Sequence, residues 1–293
     1  MIKNKITFFI FSFFLFLSGA FSQLLDANQS LIETTVKQVS LQIPKKTILV
    51  IGEMHGLDQI KKQHMEILLA LKKQSLKISI GFEFLNFTDQ VTIDDYKSFL
   101  ISDDEFKKKI NWKGFDFSFY KNQILFPLKS ENENTIGLNL PSDITKKIAK
   151  DGFDSLSSEQ RLLLPADFEL GNQFYKERFL LAAGSHLPAD KIDNYFTSQS
   201  AWDESMAYQA VKYLKQNDTD DIFVIIVGEF HVQYGGGLPD RLIQRLKKEN
   251  LNWNVKTISQ ISTQDLTSEE IDFEIKPHLK YGLRADYLWL SPN

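Results

Sequence analysis

The chain has no cysteine. That excludes disulfides, iron–sulfur clusters, thiolate zinc sites and a cysteine nucleophile, and with them the acylated cysteine of a bacterial lipoprotein. Any metal or cofactor must be held by histidine, carboxylate, tyrosine, methionine or backbone groups. A basic excess is also missing. Against 34 Lys+Arg stand 38 Asp+Glu, giving a formal charge of −4 and a pI near 5.8, which argues against nucleic acid as an electrostatic partner. There is no low-complexity linker and no solenoid-type repeat. What remains is a 293-residue chain, 43% hydrophobic and 25% charged, the balance of a soluble globular protein able to bury a sizeable core.

The N-terminus reads as an address. Lys3 and Lys5 precede an almost unbroken apolar run from Ile6 to Leu17, and Ala20-Phe21-Ser22 supplies an A-x-S cleavage signal ahead of Gln23. The run is shorter than the roughly 20 residues of a membrane span; the alternative is an uncleaved N-terminal anchor. Loss of residues 1–22 as a signal peptide removes two lysines and no acid, taking the mature chain, 23–293, from −4 to −6. The expected product is exported to the periplasm or secreted, soluble, and free of lipid anchor and disulfides.

Within that chain, Thr47–Ile51 and Ile222–Val227 are short, continuous, β-branched-rich apolar runs stopped by glycine, the pattern of strands buried on both faces. Ile78–Phe84 and Thr135–Leu140 add two strands, and Asn254–Ile258 and Asp286–Leu290 two weaker ones. Ile60, Ile67, Leu68 and Leu71 recur at helical spacing, as do Leu242, Ile243 and Leu246 after Pro239. The expected fold is α/β, a mostly parallel central sheet flanked by helices. Helical patterns over roughly 89–122 and 155–216 predict an inserted helical subdomain.

A local duplication carries the chemistry. Gly52-Glu53-Met54-His55 and Gly228-Glu229-Phe230-His231 each follow a buried strand, and ligands of open α/β sheets sit beyond the carboxyl ends of the strands. A third strand ends in Glu83 between Phe82 and Phe84. A carboxylate in so apolar a stretch needs a partner. Two imidazoles with Glu53, Glu83 and Glu229 make a nitrogen/oxygen set suited to a divalent metal ion; the metal ligands predicted are Glu53, His55, Glu83 and His231. The same groups can run acid/base hydrolysis without metal, with Glu83, His231 and His55 as the catalytic set. His64 shares a stripe with Ile60 and Ile67 and reads as a packed helix histidine. After His231, Gly235-Gly236-Gly237 and Pro239 form either a cradle for an anion such as a carboxylate or a plain strand-to-helix turn.

These stretches, with Gly81-Phe82-Glu83-Phe84 and Gln90, Gly137-Leu138-Asn139-Leu140-Pro141, Trp202-Asp203-Glu204-Ser205-Met206-Ala207 and the terminal Ala285–Leu290, resemble the ChaN-like haem-binding uptake family, relatives of the TIKI and erythromycin-esterase-type hydrolases. The resemblance implies an α/β core with a helical subdomain, able to bind haem for iron uptake or handling, with a tyrosine as iron ligand and two haems face to face in a homodimer. Tyr175 and Tyr208, in the aromatic helical region, are the haem-ligand candidates. In the hydrolase relatives the paired G-x-x-H motifs and the strand-end glutamate form the active site. Those roles fall here on His55, His231 and Glu83, with Glu53 beside them, so the alternative function is hydrolysis of a peptide, ester or lactone bond, with or without metal. Two departures stand out. The lipoprotein cysteine is absent, and Ser142 follows Leu138-Asn139-Leu140-Pro141 where the family usually has arginine.

Overall fold

A computed structural model of the chain describes residues 22–128, 131–183, 186–217 and 221–292. Apart from Ser22, the segment read as an export signal lies outside the described residues. No described helix is long and apolar enough to cross a membrane.

The two apolar runs become the centre of an eight-stranded sheet. Strands β3 (Thr47–Glu53) and β6 (Ile222–Gly228) are buried at every residue and pair in parallel from Thr47↔Ile222 to Glu53↔Gly228. Around them lie β1 (Gln23–Asp26), β2 (Ile32–Thr34), β4 (Ile78–Asn86), β5 (Thr135–Asn139), β7 (Asn254–Ser262) and β8 (Tyr287–Ser291), in the order β2-β1-β8-β7-β3-β6-β4-β5. Only β1 pairs antiparallel, with β2 and β8. Neither β1 nor β2 announces itself in the sequence, being too short for a period to show. The six expected strands are present.

Helix α1 (Val36–Gln42) leads into β3, and α2 (Asp58–Lys72) crosses from β3 to β4. It seats Ile67, Leu68 and Leu71 against Leu49, Ile51, Ile80 and Ile226 on one face of the sheet. On the same face pack α3 (Gln90–Lys97), α4 (Asp103–Lys109) and α5 (Lys121–Leu125), whose Ile93, Phe106 and Ile124 join that core. The opposite face is covered by α9 (Ile192–Gln216) and α10 (Leu238–Lys248), which bring Met206, Ala210, Leu238 and Leu242 onto Ile48, Val50, Phe223 and Ile225. Fully burying one such aliphatic side chain stabilises the fold by about 1.5–3 kcal/mol, and alternation along the strands supplies both faces at once. Helices α6 (Ser142–Asp151), α7 (Ser158–Arg161) and α8 (Gln173–Ala183) lie between β5 and α9, and α11 (Ser268–Ile275) precedes β8. The expected helical range 89–122 thus holds α3, α4 and the start of α5, and 155–216 holds α7 to α9.

This winding positions the site. The α2 crossover leaves β3 on one side and the α10 crossover leaves β6 on the other, so the carboxyl ends of β3 and β6 flank the point where the winding direction reverses.

Candidate functional site

Beyond the ends of β3, β4 and β6 opens a cavity of about 620 Å³. Met54, Phe179, Trp202 and Phe230 give it apolar walls, and His55, Glu83 and His231 line its polar floor. The structure therefore brings both motif histidines and the third strand's glutamate to one cleft, together with Glu53 beneath His55.

Parallel pairing sets Glu53 opposite Gly228, so the two Gly-Glu-x-His copies run one residue out of step. Alternation then sends Glu53 and Glu229 to opposite faces of the sheet. A Cβ on Gly52 would stand 2.9 Å from Val232 and closer still to Glu229 Oε2; a Cβ on Gly228 would stand 3.0 Å from His55 Nε2 and 3.3 Å from Glu83 Oε2. Each motif glycine thus makes room for the other motif's side chains.

On the first face, Glu53 Oε1 accepts from His55 Nδ1 at 2.9 Å and from the Tyr120 hydroxyl at 2.5 Å, and Oε2 lies 3.3 Å from His64 Nε2. His64 Nε2 also donates to Gln260 Oε1 at 2.8 Å. A carboxylate can only accept, so His55 Nδ1 carries the proton and Nε2 is left unprotonated in the neutral ring. Burial pulls the His55 imidazole down, but the Glu53 hydrogen bond and the charges of Glu83 and Glu53 outweigh it, and its pKa is raised. His64, fully buried, is lowered by desolvation and stays neutral at pH 7.

Glu83 lies just past Phe82↔Ile226, the last pair of the β4–β6 ladder, and its Oε2 accepts the Gly228 N–H at 2.5 Å. The side chain thus takes over where the ladder stops. Its Oε1 is 3.5 Å from His231 Nε2, and His231 Nδ1 donates to Asp203 Oδ1 at 2.7 Å. Burial would lower the His231 imidazole, yet the charges of Asp203 and Glu83 push it up to about 10, so it is an imidazolium across the physiological range. Burial would raise Glu83; the charge and hydrogen bond of His231 and the Gly228 N–H hold it at about 2.

Several predicted roles need correction. Glu229 is among the residues lining the cleft, but its carboxylate does not engage either histidine: its Oε1 accepts from Ser259 Oγ at 2.5 Å and Arg284 Nε at 3.0 Å, on the sheet face opposite Glu53. Among the described residues no group of three or more acids and histidines is arranged to hold a metal ion. Glu53, Glu83 and His231 are engaged with Tyr120, the Gly228 N–H, Asp203 and one another, and His55 with Glu53 through Nδ1, which leaves its Nε2 open to the cleft. Tyr175 is fully buried and donates its hydroxyl to Asp203 Oδ2 at 2.7 Å; burial and that charge raise its pKa well above 10, which leaves a neutral, inaccessible phenol. Tyr208 sits elsewhere on α9, in a separate groove of about 430 Å³ with Lys212, Lys215, Arg245 and Lys248. Neither tyrosine lines the cleft.

Asp203 and Tyr120 support the site without having been marked as site residues by the sequence, and His64 is the packed helix histidine expected from its stripe, held by Gln260 and beside Glu53. Asp203 carried a signal: an acid next to Trp202, three residues before Met206, falls on the buried side of a helix that packs against a sheet.

A sequence profile of the family described as haem-binding uptake, Tiki superfamily, ChaN, matches residues 39–242. Among solved structures the chain is similar to ChaN of Campylobacter jejuni, described as binding heme cofacially. Identity is 16%, coverage 93% of this chain and 97% of that one, and the TM-score 0.65, a likeness of fold. It is also similar to an erythromycin esterase mutant in its open conformation (10% identity, 92% and 97% covered, TM-score 0.49) and to a Bacillus cereus protein (10%, 88% and 92%, TM-score 0.48). No curated protein sequence matches the chain.

Proposed function

The chain belongs to the haem-binding uptake family of the Tiki superfamily, ChaN, and from that membership we propose that it binds haem in the strand-end cleft, as an exported protein of haem uptake or handling. The observation that carries the reading is the cleft itself. Its volume of about 620 Å³ lies within the range of cofactor sites, and its walls suit a flat apolar macrocycle. Phe179, Ala182, Ala183, Trp202 and Phe230 would hold the ring, and His55 would offer Nε2, its Nδ1 being fixed by Glu53 in the way that orients metal-bound imidazoles. When bound, haem supplies an iron centre whose potential follows its axial ligand. His55, rather than Tyr175 or Tyr208, is the ligand favoured by this geometry. The proposal includes export through residues 1–22, no lipid anchor, and a homodimer able to set two haems face to face, as cofacial heme binding is described for the Campylobacter jejuni protein.

Titration with hemin tests it. The expected result is a shifted Soret band that His55→Ala alters and Tyr208→Phe leaves unchanged. A spectrum identical to that of free hemin refutes haem binding; a shifted band indifferent to His55→Ala removes His55 as ligand.

One observation favours a second reading, acid/base hydrolysis of a peptide, ester or lactone bond. A cationic His231 between Asp203 and Glu83 and a Glu53-backed His55 face the same cleft. There His231 would donate a hydrogen bond to a developing oxyanion and His55 Nε2 would take the proton of the attacking water. Loss of ester turnover in His231→Ala with hemin binding intact would separate the two readings.

A further inference from the structure

Four arginines are buried among the described residues. Arg241 lies between Glu204 and Asp240, Arg245 holds Glu204 and Asp167, and Arg284 holds Glu229 and Glu274. Arg178, on α8 and 6% exposed, forms no ion pair with a carboxylate among the described residues, although the charge of Glu229 acts on it. Its Nη1 donates to the Gln233 carbonyl at 2.6 Å and its Nη2 to Gln233 Oε1 at 3.0 Å, both neutral acceptors. Ring faces surround the rest of it, with the centroids of Tyr234, Phe230 and Tyr175 at 4.9, 5.2 and 5.8 Å. Buried charges are ordinarily paired, because a lone one pays desolvation without Coulombic return. Burial accordingly lowers the Arg178 pKa. A guanidinium has five N–H donors, and Gln233 engages only part of the set.

Arg178 also lines a small cavity of about 140 Å³, with Asn172, Tyr175, Tyr234, Gly235 and Gly236 around it. Gly236 lets the backbone approach closely: a Cβ there would stand 3.2 Å from Arg178 Nη1 and 3.3 Å from Tyr175. Asp240, which also lines the cavity, is already held by Arg241 Nη2 at 2.7 Å and by the side-chain amides of Asn172 and Gln244, each at 3.1 Å. The cavity is distinct from the strand-end cleft. Phe230 lines the cleft, and Arg178 packs on its ring.

We propose that this cavity is a small-oxyanion site, in which the carboxylate or phosphate group of a small molecule is the counter-ion of Arg178. The glycine loop that follows the second motif histidine then has a purpose of its own, independent of what binds in the cleft.

The test uses sodium phosphate and sodium acetate as probes, each titrated at constant ionic strength against sodium chloride. Thermal unfolding and the amide NMR signals of Gly235 and Gly236 are the readouts. The native chain is expected to show a saturable rise in Tm and saturable amide shifts with at least one probe. Arg178→Met and Gly236→Ala should lose both, and Arg178→Met in chloride should be no less stable than the native chain, since it removes a buried charge that forms no ion pair. A response to phosphate alone assigns a phosphoryl group, to acetate alone a carboxylate, and to both the shared oxyanion chemistry. No saturable response to either probe overturns the proposal. So does an unchanged response in Gly236→Ala, which keeps the charge and blocks the cradle, or in Arg178→Met.

Discussion

Replacing Glu229 by glutamine should abolish a fall in stability that the native protein suffers between about pH 4.5 and pH 7. Glu229 is buried on the sheet face opposite Glu53 and is among the residues that line the cleft. One of its oxygens is shared by Ser259 and Arg284, and the Gln233 side chain adds a further hydrogen bond to the carboxyl. Desolvation dominates over the Arg284 charge and raises the carboxyl from 4.5 to about 7. A carboxyl raised on folding contributes stability that is fully present below its unfolded value and is lost as pH rises through the folded one. At 1.36 kcal/mol for each tenfold change in proton affinity, that displacement amounts to about 3 kcal/mol. Glutamine keeps the oxygen that Ser259 and Arg284 use, and Arg284 retains Glu274, so at acid pH the substitution should cost only about 1 kcal/mol. Urea unfolding followed by circular dichroism, at half-unit steps from pH 4.5 to 8, gives the two stability profiles. His231 and Glu83 titrate in both proteins and cancel in the difference, which should swing by about 3 kcal/mol in favour of Glu229→Gln. Parallel profiles, with a difference constant to within about 0.5 kcal/mol, would refute the assignment of a displaced titration to Glu229.

Two further outcomes follow from the same geometry. Asp203→Asn removes the foremost of the charges that hold His231 at about 10, so the ring signals of His231 in NMR should titrate well below that value; an unmoved midpoint would show that Asp203 does not hold the proton. Gly52→Ala places a Cβ 2.9 Å from Val232 and closer still to Glu229, an overpacking expected to cost about 1–3 kcal/mol in urea unfolding, and native stability in this variant would contradict the close approach of the two motifs.

Much of the frame was legible in the chain because burial on both faces leaves a direct mark. The runs at Thr47–Ile51 and Ile222–Val227 admit no polar side chain beyond Thr47, and the helices after them repeat apolar residues at helical spacing. That Gly-Glu-x-His recurs after both strands was enough to place His55 and His231 beyond the carboxyl ends of the same sheet. Asp203 and Tyr120 were harder, because each reaches the site from a different element: Asp203 is 28 residues from His231, and Tyr120 is 67 from Glu53. Tyr175 misled for the opposite reason. Its aromatic surroundings suggested a macrocycle wall, but the space is filled by Phe196, Phe230 and the glycine loop, and its hydroxyl is spent on Asp203.

By itself, then, the sequence determined the absence of thiol chemistry, the buried strands, the crossover helices and the pair of strand-end motifs. Only the tertiary structure decided what the pair means. Side chains alternate across a sheet with a period of two, so a stagger of one residue between β3 and β6 places Glu53 under His55 in the cleft and carries Glu229 to the far face, to Arg284. Two copies of one motif are thereby given different work. Register is a property of strand pairing, and no single strand contains it.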